Sequence, residues 1–467
     1  MDRRWTLVTV FLLTVAFSAA TPAAPTGTDA KPSLARRVDG VVKPFVEAGV
    51  FQGVVLLAVD GEIVYERAFG KVSHELDVDN SPNTRFQIAS VSKPFTAAAI
   101  QLLAERGKLD LHAPLSKVLP DYPNGDRLTI DHLLTHTSGI PSINSFDEYG
   151  EWSRGSHRPA GLVEKFKDRP LQFEPGAQYS YSNSNYNLLA HIIELVSKES
   201  FGDFLERNIF DPLGMESTAH HQNPDEIVPG LATGYTPVGA RGFARAPYLD
   251  WSIKTGNGSL FSTARDLLRF DRALREGLLL KPESLEAAYG FERELGYGWY
   301  PGSRFSERQV TITGRSPGFT ARFERFVDQD RSLILLSNVY ISPPPQMTEA
   351  LAALLLGREP TETGFDLNYA VSGKNLDRFT GEYAFGDDWF VGAVMTRIEN
   401  NGDHLRLVYL DGNNAGYDFP LVPLGEALFF DRKHGGMVRF EREGVNSPWT
   451  LVYNHGRDWR ATPVDGG

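Results

Sequence analysis

A serine and a lysine three residues apart form the S-x-x-K motif Ser90-Val91-Ser92-Lys93. Apolar residues at helical spacing follow the motif and end at the stop signal Gly107: Phe95, Ala98, Ala99, Leu102 and Leu103. Ser90 and Lys93 are therefore predicted to share one face of the first helical turn, where amine and hydroxyl can meet. The partial positive charge of a helix N-terminus disfavours a cation, so the pKa of Lys93 should be lowered. A neutral amine beside a hydroxyl can act as the base that turns serine into a nucleophile.

The S-x-x-K motif is a weak signal by itself, because a chain of this length with average serine and lysine usage contains about two by chance. Two further segments bear on it, the triplet Tyr181-Ser182-Asn183 and the pair Thr313-Gly314. Each has an ordinary structural alternative. Asn183 can cap a helix predicted over Asn187–Val196, and Thr313-Gly314 can be a strand end.

The order of these segments along the chain resembles the serine hydrolases of the class C β-lactamase and penicillin-binding-protein group. The matching phrases lie between about residues 40 and 340, in the family's order: Phe86–Lys93, Leu133–Pro141, Pro175–Asn183, Pro212–Met215, Gly258–Thr263 and Pro317–Phe319. The resemblance implies an α+β fold in which helices flank an antiparallel sheet. It also implies an acyl-enzyme reaction that requires no metal or other cofactor.

The resemblance assigns roles to four side chains. Ser90 resembles the nucleophile that a carbonyl substrate acylates, and Lys93 resembles the base that takes its proton. Tyr181 resembles the phenol that passes a proton to the leaving group and later activates water. Since the reference pKa of a phenol is near 10, Tyr181 is expected to need a cationic neighbour such as Lys93. Asn183 resembles the amide that holds both Lys93 and the substrate.

The resemblance also implies substrate-binding groups on a strand that contains Thr313, Gly314 and Arg315. The oxyanion hole would consist of two backbone N–H groups, one from Ser90 and one just past Gly314, taken to be that of Arg315.

One position departs from the family pattern. The third motif of the family is Lys-Thr-Gly or His-x-Gly, and alignment on Pro317-Gly318-Phe319 gives Ile312-Thr313-Gly314. The usual cation helps to bind a substrate carboxylate, so isoleucine there disfavours free-acid substrates, including penicillins and D-alanyl-D-alanine ends. Arg315 is an alternative source of charge, although a neighbouring position on a strand can point its side chain away.

The sequence also predicts the strands and helices that must position these residues. Apolar runs over Gly53–Val59 and Glu62–Phe69 flank Asp60-Gly61, which predicts a hairpin. Strands are predicted again at Gln309–Thr313, Phe319–Val327 and Arg331–Asn338, and a helix is predicted over Met347–Leu356. Strands at both ends of a helical middle indicate one antiparallel sheet that is closed by distant segments.

The C-terminal part of the chain has a different pattern, in which short strands alternate with turns. Strands are predicted at Phe390–Ile398, His404–Leu410, Tyr417–Val422, Ala427–Phe430, Met437–Glu441 and Thr450–Asn454. This spacing is typical of a small all-β barrel or sandwich. The phrase Leu376–Tyr383 resembles the start of the lipocalin-like domains that are appended to some of these hydrolases.

The N-terminus resembles a secretory signal, with Arg3 and Arg4 before an apolar run and small residues at Ser18-Ala19-Ala20. The predicted organisation is a signal peptide (1–20), a flexible lead (21–35), a hydrolase domain (36–357), a linker (358–374) and the small barrel (375–467). The chain has no cysteine, which excludes disulfides and thiolate chemistry and suits a bacterial envelope. We therefore expect a secreted or periplasmic protein with no stable membrane span after signal cleavage.

The charge composition limits the kinds of molecule that the protein is expected to bind. The net charge of −12 disfavours nucleic acid, and the expected partner is a small-molecule or peptide substrate. The oligomeric state is left open. His132 and His136 are four residues apart but are expected to make structural hydrogen bonds, and His220-His221 is expected in a surface loop.

Two functions from different classes remain. The first is a secreted serine hydrolase that forms an acyl-enzyme on Ser90 with small ester, amide or D-amino-acid peptide substrates; a strict β-lactamase is disfavoured by Ile312. The alternative is a β-lactam- or peptidoglycan-binding sensor, or a penicillin-binding protein, that is acylated with little turnover.

Overall fold

The computed structural model describes residues 32–464 except 224, 342–343, 362–368, 370–372, 390–391, 413–414, 446 and 455–456. The predicted signal peptide, most of the predicted flexible lead and much of the predicted linker lie outside the described residues.

Helices and strands alternate irregularly through the N-terminal domain, residues 34–355. Its strands are β1 (Gly53–Val59), β2 (Glu62–Phe69), β3 (Lys71–Ser73), β4 (Val78–Asp79), β5 (Phe86–Gln87), β6 (Ala219–His220), β7 (Tyr235–Val238), β8 (Gly242–Arg245), β9 (Leu260–Ser262), β10 (Tyr300–Arg304), β11 (Glu307–Ser316), β12 (Phe319–Phe326) and β13 (Arg331–Ser337). Its helices are α1 (Leu34–Glu47), α2 (Lys93–Glu105), α3 (Ile130–Leu134), α4 (Tyr149–Trp152), α5 (Pro159–Val163), α6 (Asn183–Ser197), α7 (Phe201–Leu205), α8 (Asp211–Leu213), α9 (Ala264–Arg275), α10 (Pro282–Tyr289) and α11 (Pro345–Leu355).

The main sheet is antiparallel and has the strand order β10-β11-β12-β13-β1-β2. The predicted hairpin is confirmed with its predicted bounds, and the turn residues Asp60 and Gly61 both have positive φ, as a two-residue hairpin turn requires. On its other edge β1 pairs with β13, from Gly53 opposite Ser337 to Val59 opposite Arg331. The prediction that distant segments close one antiparallel sheet is therefore confirmed.

Apolar side chains from both faces of β1 are buried, so the sheet has a layer on each side. Val54 and Leu56 belong to the larger core, together with side chains of α2, α6 and α9. Val55 and Leu57 point the opposite way, into a second core that contains side chains of α1 and α11. The larger core lies on the side where Ser90 is found, and it fixes the helices around that residue.

The C-terminal barrel closes on itself through eight strands: β14 (Gly381–Phe385), β15 (Val394–Asn400), β16 (Leu405–Tyr409), β17 (Asp418–Pro423), β18 (Leu428–Asp431), β19 (Met437–Glu441), β20 (Thr450–Asn454) and β21 (Asp458–Pro463). A short helix, α12 (Gly373–Leu376), precedes it. The barrel prediction is confirmed, but β14 and β21 were not predicted, and the strand predicted from Phe390 begins at Val394. The closing pair of strands joins Tyr383 to Pro463.

The barrel packs against the N-terminal domain. Leu424 and Phe430 of the barrel share the second core with α1 and α11. Arg432 is 1% exposed and donates hydrogen bonds to the carbonyl oxygens of Gly49, Val238, Gly239 and Gly242.

Within the described part of the chain, no helix has both the length and the apolar character needed to cross a membrane.

Candidate active site

Ser90 lies in a 3-10 turn, Ala89–Ser92, that runs directly into α2. The predicted helical start is therefore tighter than an α-helix, and Lys93 is the first residue of α2. Ala89 enters the turn with φ of +47°, which is uncommon for a residue with a Cβ atom. The turn brings the Lys93 Nζ to 3.1 Å from the Ser90 Oγ, so the contact predicted from the spacing is present.

Lys93 is fully buried and has no carboxylate partner among the described residues. Its Nζ lies 2.9 Å from the Asn183 Oδ1 and 2.8 Å from the carbonyl oxygen of Asn257. Burial is the main cause that holds the Lys93 pKa well below its usual value, and the charge of Lys254 lowers it further. The predicted lowering of the pKa is found, but loss of water is the chief cause, because the amine has lost its hydration without gaining a counterion.

Tyr181 completes the contacts around Ser90, with its hydroxyl 2.9 Å from the Ser90 Oγ. Although 36% of the residue is exposed, its surroundings desolvate the phenol and raise its pKa above the ordinary value. The hydrogen bond with Ser90 opposes that rise, and the nearby Tyr179 adds to it. This differs from the expectation that Lys93 would prepare the phenol as a base. Because its pKa is raised, Tyr181 rests as a protonated phenol at neutral pH.

His136 supports Tyr181 from behind. Its ring lies 4.6 Å from the Tyr181 ring, and its Nδ1 accepts a hydrogen bond from the Ser182 backbone N–H. Burial lowers the pKa of His136 to about 3, and Lys93 contributes to the shift, so the imidazole is neutral. The expected structural hydrogen bonding is thus observed for this histidine. No group of three or more metal-ligating side chains able to hold an ion occurs in the described segments.

Asn183 is the first residue of α6, so it begins the helix instead of capping it. Its Oδ1 accepts from Lys93, while its Nδ2 donates to the Asn144 Oδ1 at 2.6 Å. Its backbone N–H donates to the Ser142 Oγ. Asn144 therefore orients the side-chain amide so that its oxygen faces Lys93, while Ser142 holds the backbone of Asn183.

The strand β11 brings Gly314 against the turn that carries Ser90. A Cβ atom on Gly314 would lie 2.1 Å from the carbonyl oxygen of Ile88 and 3.1 Å from the Ser90 N, so only glycine allows this approach. Ile312 lies on the same face of β11, since side chains alternate along a strand, and it is 1% exposed. Ile312 therefore occupies the position that the alignment gave it. Thr313 lies on the other face and is exposed.

Arg315 also lies on the face opposite Ile312 and Gly314. Its guanidinium donates a 2.6 Å hydrogen bond to the Lys433 carbonyl oxygen in the barrel, and it lies 4.2 Å from the centre of the Tyr340 ring. The side chain is thus directed to the barrel junction. The backbone of Arg315 follows Gly314 beside Ser90, where a second oxyanion donor is expected.

Sequence reasoning missed Asn257 and Lys254, which lie in one loop beside Lys93. A backbone carbonyl such as that of Asn257 carries no sequence signature. A signal for Lys254 did exist, because Lys254-Thr255-Gly256 spells the third motif of the family in a segment outside the matching strand. His220 and His221 were also misplaced: His221 is 8% exposed and lies 2.5 Å from Gln87, because β6 pairs with β9 and is covered.

Comparison with known proteins identifies the family to which this chain belongs. The sequence profile of the family described as Beta-lactamase matches residues 38–358, which is more than half of the chain. This chain belongs to the Beta-lactamase family. It is a serine hydrolase of that family, and Ser90, Lys93, Tyr181 and Asn183 all lie inside the matched segment.

Relatives extend the likeness to the barrel. Penicillin-binding protein 4* of Bacillus subtilis (strain 168) is 34% identical over 441 residues, which cover 88% of this chain and 94% of that protein. The structure of the octameric penicillin-binding protein homologue from Pyrococcus abyssi has a TM-score of 0.62 at 24% identity, covering 91% of this chain and 99% of that one. The D-amino acid amidase from Ochrobactrum anthropi SV3, in complex with D-phenylalanine, has a TM-score of 0.61 at 23% identity, covering 69% and 98%. Both structures share the fold with this chain.

Proposed function

We propose that this protein hydrolyses small esters, amides or D-amino-acid peptides through an acyl-enzyme on Ser90. The observation that carries the proposal is the 3.1 Å contact between the Ser90 Oγ and the buried Lys93 amine, whose pKa burial holds well below its usual value. A hydroxyl becomes a nucleophile when a positioned base accepts its proton.

The reaction begins when the Ser90 Oγ attacks the substrate carbonyl carbon and its proton passes to the Lys93 Nζ. The tetrahedral oxyanion accepts hydrogen bonds from the backbone N–H groups of Ser90 and Arg315. The leaving group takes a proton from the Tyr181 hydroxyl, and the proton that Lys93 accepted from Ser90 replaces it on Tyr181. The C–O or C–N bond then breaks and leaves an ester on Ser90.

Deacylation repeats these steps with water as the nucleophile. A water molecule loses its proton to the pair formed by Tyr181 and Lys93 and attacks the ester carbonyl. The Ser90 Oγ leaves and recovers a proton, which regenerates the free enzyme. The raised pKa of Tyr181 favours a phenol that relays protons over one that stores negative charge.

Ile312 supports a preference for substrates that are neutral next to the scissile bond. It occupies the face of β11 that packs against the Ser90 turn, where the usual cation would meet a carboxylate. An amide or ester is expected to have a higher kcat/KM than its free-acid analogue. The amidase named above acts on D-amino acid amides, a class without a free carboxylate, and D-aminoacyl amides are therefore the first substrates to test.

A fluorophosphonate probe tests the nucleophile. The purified wild-type protein should be labelled on Ser90, as read by peptide mass spectrometry, and Ser90→Ala should be neither labelled nor active. Ser92→Ala is the matched control, since Ser92 is the neighbouring serine of the same turn and its Oγ instead accepts a hydrogen bond from the Leu260 backbone N–H. Near wild-type turnover by Ser90→Ala would refute the proposal.

A second candidate is a protein that is acylated and turns over slowly, which the 34% identical penicillin-binding relative favours. Burst kinetics with a chromogenic ester and with nitrocefin separate the two functions. An enzyme continues after the first equivalent of product, whereas a sensor stops there.

We further propose that the protein acts outside the cytoplasm, in the periplasm or the medium. The support is the signal-like sequence of residues 1–20 and the absence of cysteine. N-terminal sequencing of the mature protein should begin near residue 21, and an intact Met1 would contradict this proposal.

A further inference from the structure

Lys254 is a second buried lysine beside the catalytic group, and the mechanism above does not use it. It ends a 3-10 turn, Trp251–Lys254, and only 9% of the residue is exposed. The loop that follows supplies the Asn257 carbonyl oxygen to the Lys93 Nζ. Lys93 and Lys254 are therefore held by the same short segment.

Packing fixes this loop in place. The Thr96 Oγ1 of α2 donates to the Gly256 carbonyl oxygen at 2.7 Å, and the Asn187 Nδ2 of α6 donates to the Thr255 carbonyl oxygen at 2.8 Å. The stem of Lys254 follows the loop back toward Ser90. A Cβ atom on Gly258 would lie 3.5 Å from the Lys254 Cδ and 3.3 Å from the carbonyl carbon of Ala89, the residue before the nucleophile.

Neither lysine has a carboxylate partner within the described part of the chain. The groups that face Lys93 are the Ser90 hydroxyl, the Asn183 amide, the Asn257 carbonyl and the rings of Tyr181 and Tyr186, at 4.9 and 5.3 Å from its Nζ. His136 lies behind the two tyrosine rings and is neutral. Lys254 is therefore the charged neighbour that adds to the effect of burial on the Lys93 pKa.

We propose that Lys254 is a positioning residue that carries the positive charge of this site and thereby keeps Lys93 free of a proton. Two amines in one desolvated region without a counterion do not both hold protons easily, because each charge repels the other. Burial lowers the pKa of Lys254 only to about 8, whereas Lys93 is lowered well below its ordinary value. At neutral pH Lys254 is therefore mostly protonated. This inference rests on the proposed role of Lys93 as the base.

The inference also accounts for Ile312. The family has a cation on β11, and this chain has isoleucine there. Lys254 supplies a charge from a different loop. From that position Lys254 acts on Lys93, the proposed base. The preference proposed above for substrates that are neutral next to the scissile bond is unchanged.

The test is the pH dependence of kcat/KM for p-nitrophenyl acetate, an uncharged ester. Activity should rise as Lys93 loses its proton. Lys254→Met removes the charge, which should raise the Lys93 pKa and move the rising limb of the profile to higher pH by about one unit or more. Activity on the acid side of that limb should fall roughly tenfold and should recover at high pH. Lys254→Arg keeps the charge and should keep the limb in place. Lys43→Met, which removes an exposed lysine elsewhere, is the matched control.

An unmoved limb in Lys254→Met would overturn the inference, and so would an equal shift in Lys254→Arg. If Lys254→Met does not fold, as judged by circular dichroism, Lys254→Gln provides the same comparison with a polar side chain of similar length. Fluorophosphonate labelling separates this failure from failure of the proposed function. Absence of label on Ser90 at any pH refutes the function, whereas label on Ser90 with an unmoved limb refutes only the role of Lys254.

Discussion

Lys93 and Arg432 are two buried basic side chains without a carboxylate partner among the described residues, yet the protein holds them differently. Lys93 has three oxygen neighbours, of which two are side chains and one is a carbonyl. The guanidinium of Arg432 donates to four backbone carbonyl oxygens, those of Gly49, Val238, Gly239 and Gly242, and lies 5.5 Å from the centre of the Phe243 ring. One residue lies at the nucleophile and the other at the barrel junction.

The difference between an amine and a guanidinium explains the two environments. Burial is a large penalty for any charge, and an amine can avoid that penalty by losing its proton. The Lys93 pKa falls accordingly, which favours the neutral amine that the proposed mechanism requires. Burial lowers the pKa of Arg432 only to about 10, so it remains charged and needs four carbonyl acceptors. A buried basic side chain without a carboxylate partner is thus the proposed base in one place and a structural clamp in the other.

The strongest test of this contrast replaces the lysine by arginine at position 93 and the arginine by lysine at position 432. Lys93→Arg should lose activity as completely as Lys93→Ala, about 10⁴-fold or more in kcat, because arginine has no neutral form near pH 7. Steady-state kinetics with a chromogenic ester measure the loss. Arg432→Lys should retain most activity, and substantial turnover by Lys93→Arg would show that charge rather than basicity matters at Ser90.

A double-mutant cycle tests whether Lys93 and Tyr181 act as one unit. Lys93→Ala should reduce kcat by about 10⁴-fold or more and Tyr181→Phe by about 10³-fold or more, and the double variant should be little worse than Lys93→Ala alone. Groups that pass the same proton depend on each other, so their effects do not add. Fully additive losses would place the two residues in separate steps.

Removal of the clamp should affect stability more than chemistry. Arg432→Ala leaves the four carbonyl oxygens without their donor and should lower the free energy of unfolding by about 2–4 kcal/mol, as measured by urea denaturation. Arg397→Ala is the control, because Arg397 forms an exposed pair with Glu382 within the barrel and should change stability by about 1 kcal/mol or less. Equal effects of the two changes on the free energy of unfolding would show that Arg432 does not stabilise the barrel junction.

The smallest expected effect concerns position 312, where the family motif has a cation and this chain has isoleucine. Ile312→Lys should raise kcat/KM for a free-acid substrate relative to its amide by up to about 100-fold, the equivalent of about 1–3 kcal/mol for a charge-assisted hydrogen bond. Because Ile312 is 1% exposed, the new amine would add a third buried amine near Lys93, and some loss of stability should accompany the gain. Ile312→Leu controls for shape, and an equal gain with leucine would exclude a charge effect.

The sequence predicted the parts of the fold whose signals are local. The turn chemistry of Asp60-Gly61 gives the first hairpin its observed bounds, and helical spacing brings Lys93 to Ser90. By contrast, β14 and β21 are short, and they pair with each other across most of the barrel sequence, from Tyr383 to Pro463. Their pairing depends on closure of the barrel, which no local pattern encodes.

The candidate site shows the same limit. Tyr181 and Asn183 were identified from the family resemblance, because a Y-x-N triplet by itself does not reveal that it meets a distant lysine. The Asn257 carbonyl and the burial of Lys254 follow from long-range packing of one loop on α2 and α6. The raised pKa of Tyr181 depends on the loss of water around its phenol, to which the nearby Tyr179 adds, and could only be read from the structure.

The pairing of β1 with β13 has a consequence for the order in which the protein forms. β1 is buried along almost all of its length, and one of its edges stays without a partner until Ser337 has been synthesised. At about 5–20 residues per second, that interval is on the order of tens of seconds. During it the nascent chain carries an open apolar edge of the kind that recruits other strands. Early folding of the helical middle, or a chaperone that covers β1, would therefore decide how much of the protein is recovered in its native form.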